Sequence, residues 1–124
     1  MKVTFLGTGT STGVPQLLCQ CAVCRSNDPR DKRLRASILI EADDTSLLVD
    51  CGPDFRQQAL RAGINHIDGV VLTHEHYDHV GGLDDLRPYC AKRDMPLYAL
   101  PRVITQLKAA MPYSFTENPY PGVP

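Results

Sequence analysis

The chain has 124 residues, enough for one domain and too few for two. Apolar residues make up 43% and charged residues 22%, the composition of an ordinary globular protein. Thirteen basic and fourteen acidic side chains leave a net charge of −1, which argues against a histone-like or polybasic membrane-surface protein.

No apolar run approaches the ~20 residues of a membrane span. After Lys2 the apolar stretch is only Val3 to Leu6, interrupted by Thr4, so no secretory h-region is read there and the expected compartment is the cytoplasm. Five cysteines cannot all pair, and three of them crowd into Cys19, Cys21 and Cys24. Without a secretory signal that spacing reads as metal binding rather than as disulfides.

Lys2 to Leu6 alternates polar and apolar residues and predicts a strand. It runs into the loop Gly7 to Gly13, rich in residues that tolerate unusual backbone angles. Arg25 to Arg35 carries five basic residues, read as a solvated loop or an anion-facing one. Ser37 to Glu41 and Ser46 to Val49 predict a hairpin turning at Asp43 and Asp44. Asp54 and Gln57 have the spacing of a capping box, opening a helix that stops at Gly63. Gly69 to Thr73 predicts a buried strand. Val80 to Leu86 predicts a short helix that Pro88 ends or kinks. Pro96 to Leu100 predicts a further strand. Pro101 to Met111 predicts a helix with Val103, Ile104, Leu107 and Met111 on one stripe. From Pro112 four prolines in thirteen residues predict an irregular tail. The order of elements gives an α/β class: a mixed β-sheet with helices on one face.

The sharpest feature is Thr73-His74-Glu75-His76-Tyr77-Asp78-His79. Three of the four histidines fall within six residues, with an aspartate among them. On an extended segment His74 and His76 project to the same side. Asp78 and His79 follow where the chain leaves a buried strand and enters Gly81-Gly82. Imidazole with carboxylate is a ligand set for zinc, and it also suits manganese or iron. The three thiols Cys19, Cys21 and Cys24 can wrap one structural zinc, leaving one position for a fourth ligand. Cys51 and Cys90 read as core residues, and His66 as ordinary surface or core.

His-x-His-x-Asp-His after an apolar strand resembles the metallo-β-lactamase superfamily of metal-dependent hydrolases. Leu-Leu-Val-Asp-Cys-Gly, residues 47–52, looks like that family's strand ending in Asp-x-Gly. Phe5-Leu6-Gly7-Thr8-Gly9 resembles the opening strand and glycine turn of its phosphodiesterase-like branches. With the Cys trio added, the chain is similar to the phosphoribosyl cyclic phosphodiesterases of phosphonate breakdown.

The resemblance implies that His74 and His76 bind a first metal and that Asp78 and His79 bind a second. Asp78 would also orient the nucleophile. Asp50 would either sit behind the ligands and orient them or be a turn aspartate that satisfies backbone amides. A two-metal site of this kind generates hydroxide at neutral pH for attack on a phosphorus or carbonyl centre. The implied reaction is hydrolysis of a small cyclic or nucleotide-like phosphate ester. A transfer-RNA 3′-processing endonuclease, a thioester hydrolase and a non-catalytic zinc-binding module are the alternatives. No membrane partner is expected, and nucleic acid is disfavoured because no basic RNA-binding insertion is evident.

The resemblance also implies ligands that this sequence lacks, since no histidine follows His79. The implied fold is an αββα sandwich of two similar halves, and the chain matches the first. Residues 1–124 are therefore expected to be a single truncated domain that turns over little by itself. Its sheet would leave apolar surface uncovered and invite association, for instance as a homodimer.

Overall fold

In the computed structural model, residues 1–91 and 93–116 are described. Five strands form one sheet whose spatial order is their chain order. They are β1 (Lys2–Gly7), β2 (Ser37–Ala42), β3 (Thr45–Val49), β4 (Gly69–Val71) and β5 (Leu97–Tyr98). β1, β2 and β3 pair antiparallel, whereas β3, β4 and β5 pair parallel. The parallel pairs need crossovers, and helices supply them: α2 (Phe55–Ala62) lies between β3 and β4. Between β4 and β5 come α3 (Tyr77–Val80), a 3₁₀ turn (Leu83–Leu86) and α4 (Arg87–Cys90). A four-residue helix α1 (Ala22–Arg25) sits in the Cys loop, and α5 (Pro101–Ala110) follows β5.

Register sorts the sheet into two faces. Thr4, Leu39, Leu48, Val70 and Leu97 stand in one cross-strand row, one residue from each strand. The helices cover this side. Phe55 and Ala59 of α2, Leu83 and Leu86 of the 3₁₀ turn, and Val103 and Leu107 of α5 join Leu39, Leu48 and Val70 in the buried core. The adjacent row is Phe5, Ile38, Val49, Val71 and Tyr98, and the pleat turns it the other way. None of these five is buried, and Phe5 is 70% exposed. Val3, Ile40 and Leu47 extend the same apolar face. The sheet is thus apolar on both sides and covered on one.

Several local expectations need correction. Asp54 makes no side-chain cap to α2; its carboxylate is taken by the backbone amide and guanidinium of Arg35, at 2.9 and 2.8 Å. A turn in which the Phe55 amide donates to the Gly52 carbonyl leads into the helix, which starts after Asp54 and closes on left-handed Gly63 as the sequence predicts. No helix spans Val80 to Leu86. The chain makes α3, the 3₁₀ turn and α4 in succession, and Pro88 sits in the first turn of α4, where its missing N–H costs nothing. Pro112–Phe115 form a 3₁₀ turn at the start of the proline-rich tail, and residues 117–124 lie outside the described residues. No helix among the described residues is long and apolar enough to cross a membrane.

Candidate metal centre

Parallel pairing of β3 and β4 sets their carboxyl ends side by side, so the residues that follow each strand meet. Asp50 follows β3 and Thr73 follows β4. The Asp50 backbone is left-handed at φ 61, a conformation that aspartate tolerates better than most residues. In this posture its nearly buried carboxylate turns across to the next loop. The amide of Thr73 donates to Oδ1 at 2.8 Å, the Thr73 hydroxyl reaches Oδ2 at 2.8 Å, and His79 Nδ1 meets Oδ2 at 2.7 Å. The two readings of Asp50 are not exclusive, because one carboxylate satisfies a backbone amide and grips the His79 ring.

Two backbone contacts hold the loops together. The Cys51 amide donates to the His79 carbonyl at 2.8 Å, and the Gly82 amide donates to the Cys51 carbonyl at 2.9 Å. Approach this close leaves no room for side chains. A Cβ on Gly52 would lie 2.1 Å from the Asp78 carbonyl oxygen, and one on Gly82 would lie 2.0 Å from that of Gly52. Gly81 and Gly82 have ordinary negative φ, so they permit close approach rather than a special bend.

The motif residues come together in pairs, and no three of their ligand atoms lie within 4.8 Å of one another. The His74 ring centroid lies 4.7 Å from that of His76 and 4.0 Å from that of His79. His74 Nδ1 is 2.9 Å from the Thr73 hydroxyl. Asp78 Oδ2 lies 3.2 Å from His79 Nε2. Between the histidines, Glu75 pairs with Arg102 in the first turn of α5 at 3.0 Å, which ties the loop to that helix. Neither Thr73 nor Glu75 was selected by sequence. Thr73 could have been suspected only from its place directly before the first histidine, and the Arg102 pair spans 27 residues with no local signature.

The second cluster is the Cys loop. The sulfurs of Cys19, Cys21 and Cys24 all lie within 4.8 Å of one another, and among the described residues no other trio of His, Cys, Asp or Glu ligand atoms does so. Cys21 caps α1 by accepting from the Cys24 amide at 3.4 Å, and Cys24 accepts from the Gln16 amide at 3.4 Å. The Cys24 amide, followed by the neighbouring thiols, holds the Cys21 thiol below its ordinary range. For Cys24 the Gln16 amide pulls down, but the adjoining thiols and partial desolvation outweigh it. No fourth thiol joins the cluster. Cys51 is wholly buried, and that burial pushes its thiol up; Cys90 is half-buried and shifted the same way.

The basic run is largely spoken for. Arg30 pairs with Asp28, Lys32 donates to the Ser26 carbonyl, and Arg35 holds Asp54 and the Ser11 carbonyl. These partners fit a solvated loop braced by its own charges.

A model of the beta-lactamase superfamily domain matches residues 45–124. The chain belongs to the metallo-β-lactamase superfamily. It is 55% identical over 125 residues to an octanoyltransferase of Porphyromonas gingivalis, a match covering 100% of this chain and 25% of that protein. In structure it is similar to a diphosphatase from the PhnP family, with a TM-score of 0.85 and 48% identity over 90% of this chain and 46% of the other. It is also similar to the Zn(2+)-bound PqqB from Methylobacterium extorquens, with a TM-score of 0.77 and 30% identity over 90% of this chain and 41% of the other. The chain therefore spans a quarter to just under half of the length of the relatives it matches.

Proposed function

We propose that these residues form one half of a metal-dependent hydrolase site, and that the complete site hydrolyses a small cyclic or nucleotide-like phosphate ester as a phosphodiesterase. The observation that carries this reading is the His79 ring. Its Nδ1 donates to the Asp50 carboxylate, and in the neutral ring this leaves Nε2 a lone pair that faces the Asp78 carboxylate at 3.2 Å. Two acceptors at that separation call for positive charge between them. A proton answers that call alone. A divalent ion held by His79 and Asp78 answers it as well.

His74 and His76 would hold a first ion, and Asp78 and His79 a second. The donor set suits zinc and accommodates manganese or iron. When bound, such ions supply Lewis acidity and a water acidic enough to attack at neutral pH. Asp78 would hold its ion and also help to orient the nucleophile. Asp50 keeps the His79 ring from rotating away. Cys19, Cys21 and Cys24 would hold a separate structural zinc, with one position left for a further ligand.

Two observations support a small phosphate substrate. The PhnP-family diphosphatase shares 48% identity with this chain. In the basic loop, Arg30, Lys32 and Arg35 are tied to partners within the chain rather than held out for RNA. The test is metal content and turnover of bis-p-nitrophenyl phosphate, measured on these 124 residues and on a longer version that supplies the other half of the fold. The expected result is EDTA-sensitive turnover in the longer form and little or none in the shorter. Metal bound without turnover in the longer form would instead favour a zinc-binding module.

A further inference from the structure

Thr73 stands apart from the proposed ligands, yet it touches two members of the constellation. Its hydroxyl lies 2.8 Å from Asp50 Oδ2 and 3.1 Å from Oδ1, and also 2.9 Å from His74 Nδ1. A carboxylate only accepts, so the single hydroxyl proton goes to Asp50. The hydroxyl then has only lone pairs to offer His74, and Nδ1 of that ring must carry the proton. Nε2 is left bare. The same carboxylate accepts directly from His79 Nδ1.

We infer that Thr73 is a positioning residue which, relaying from Asp50, fixes the tautomer and rotation of His74 so that its Nε2 lone pair faces the metal site. One carboxylate thereby sets two imidazoles, one by contact and one through a hydroxyl. This rests on the metal-site reading above for its purpose, but the tautomer itself is a property of the metal-free chain. A free neutral imidazole has no such constraint and exchanges protons between its two nitrogens.

The relay is tested by long-range nitrogen–proton NMR of the metal-free 124-residue chain above the ordinary imidazole titration range, where only four histidines contribute signals. The expected spectrum shows His74 protonated at Nδ1 in the native chain. Thr73→Val, which keeps the shape and removes the hydroxyl, moves the proton toward Nε2, and Thr73→Ser restores it. Zinc or manganese affinity, read by titration calorimetry, falls roughly tenfold to a hundredfold in Thr73→Val and recovers in Thr73→Ser. A native spectrum with His74 protonated at Nε2 overturns the relay, and so does a Thr73→Val spectrum unchanged from the native one. The NMR arm needs no metal and no turnover, so a failure of the hydrolase reading cannot be mistaken for a failure of the relay.

Discussion

The Asp50 carboxylate and the His79 ring meet at 2.7 Å across 29 residues of chain. With one side chain only 8% and the other 17% exposed, the pair is sheltered from competing water. It forms because β3 and β4 run parallel and deliver the residues after each strand to the same edge of the sheet. Asp50→Asn keeps the size and an acceptor for the Thr73 amide, but it loses the charge that holds the His79 proton at Nδ1. Metal affinity should fall by roughly tenfold to a hundredfold while the fold persists. Calorimetric titration with zinc beside circular dichroism checks this, and an unchanged affinity would remove Asp50 from the site.

Gly52→Ala should be far more damaging than its size suggests. The added methyl lies 2.1 Å from the Asp78 carbonyl, and backbone is the part of a loop least able to yield. A loss of order 1–3 kcal/mol of stability is expected, with displacement of Asp78. Chemical denaturation reads the first effect and metal titration the second. A variant as stable as the native chain would mean that the two loops are looser than the geometry indicates.

Cys21→Ser should lower bound zinc by one ion per chain and leave the His-motif site loaded. Cys21 is chosen because its sulfur both caps α1 and belongs to the trio. Elemental analysis of the variant against the native chain separates the two sites. Equal zinc content in both proteins would count against a structural site at the Cys loop.

The uncovered sheet face should make the isolated chain associate. Phe5→Lys puts a charge on a strand edge where the side chain is 70% exposed, so native stability should change by no more than about 0.5 kcal/mol. Sedimentation velocity should show self-association of the native chain and a shift toward monomer in the variant. A monomeric native chain at high concentration would show that this face tolerates water unaided.

The parts legible in the sequence were those carried by local pattern. The hairpin, α2 with its left-handed Gly63, and the α5 stripe of Val103 and Leu107 are each specified within a few residues. His74, His76, Asp78 and His79 drew notice because metal-binding residue types cluster within six positions. The connections between elements were not legible. Asp54 has the spacing of a cap, but Arg35, 19 residues earlier, competes for its carboxylate and wins with two hydrogen bonds. Val80 to Leu86 has helical composition, yet the amide of Gly82 is taken by Cys51 of the neighbouring loop, and the helix breaks there. Thr73 and Glu75 acquire their roles only when distant segments arrive.

The dovetail of Gly52, Asp78 and Gly82 also bears on how such a site can diversify. Its wall on that side is peptide against peptide, and a wall without side chains offers mutation nothing to enlarge, shrink or recharge. On this side of the site, variation is left to positions that face outward around the motif. Tyr77 is one, standing between the ligand candidates His76 and Asp78 with 70% of its surface open. A library for new specificity should spend its diversity there and hold the three-residue joint constant.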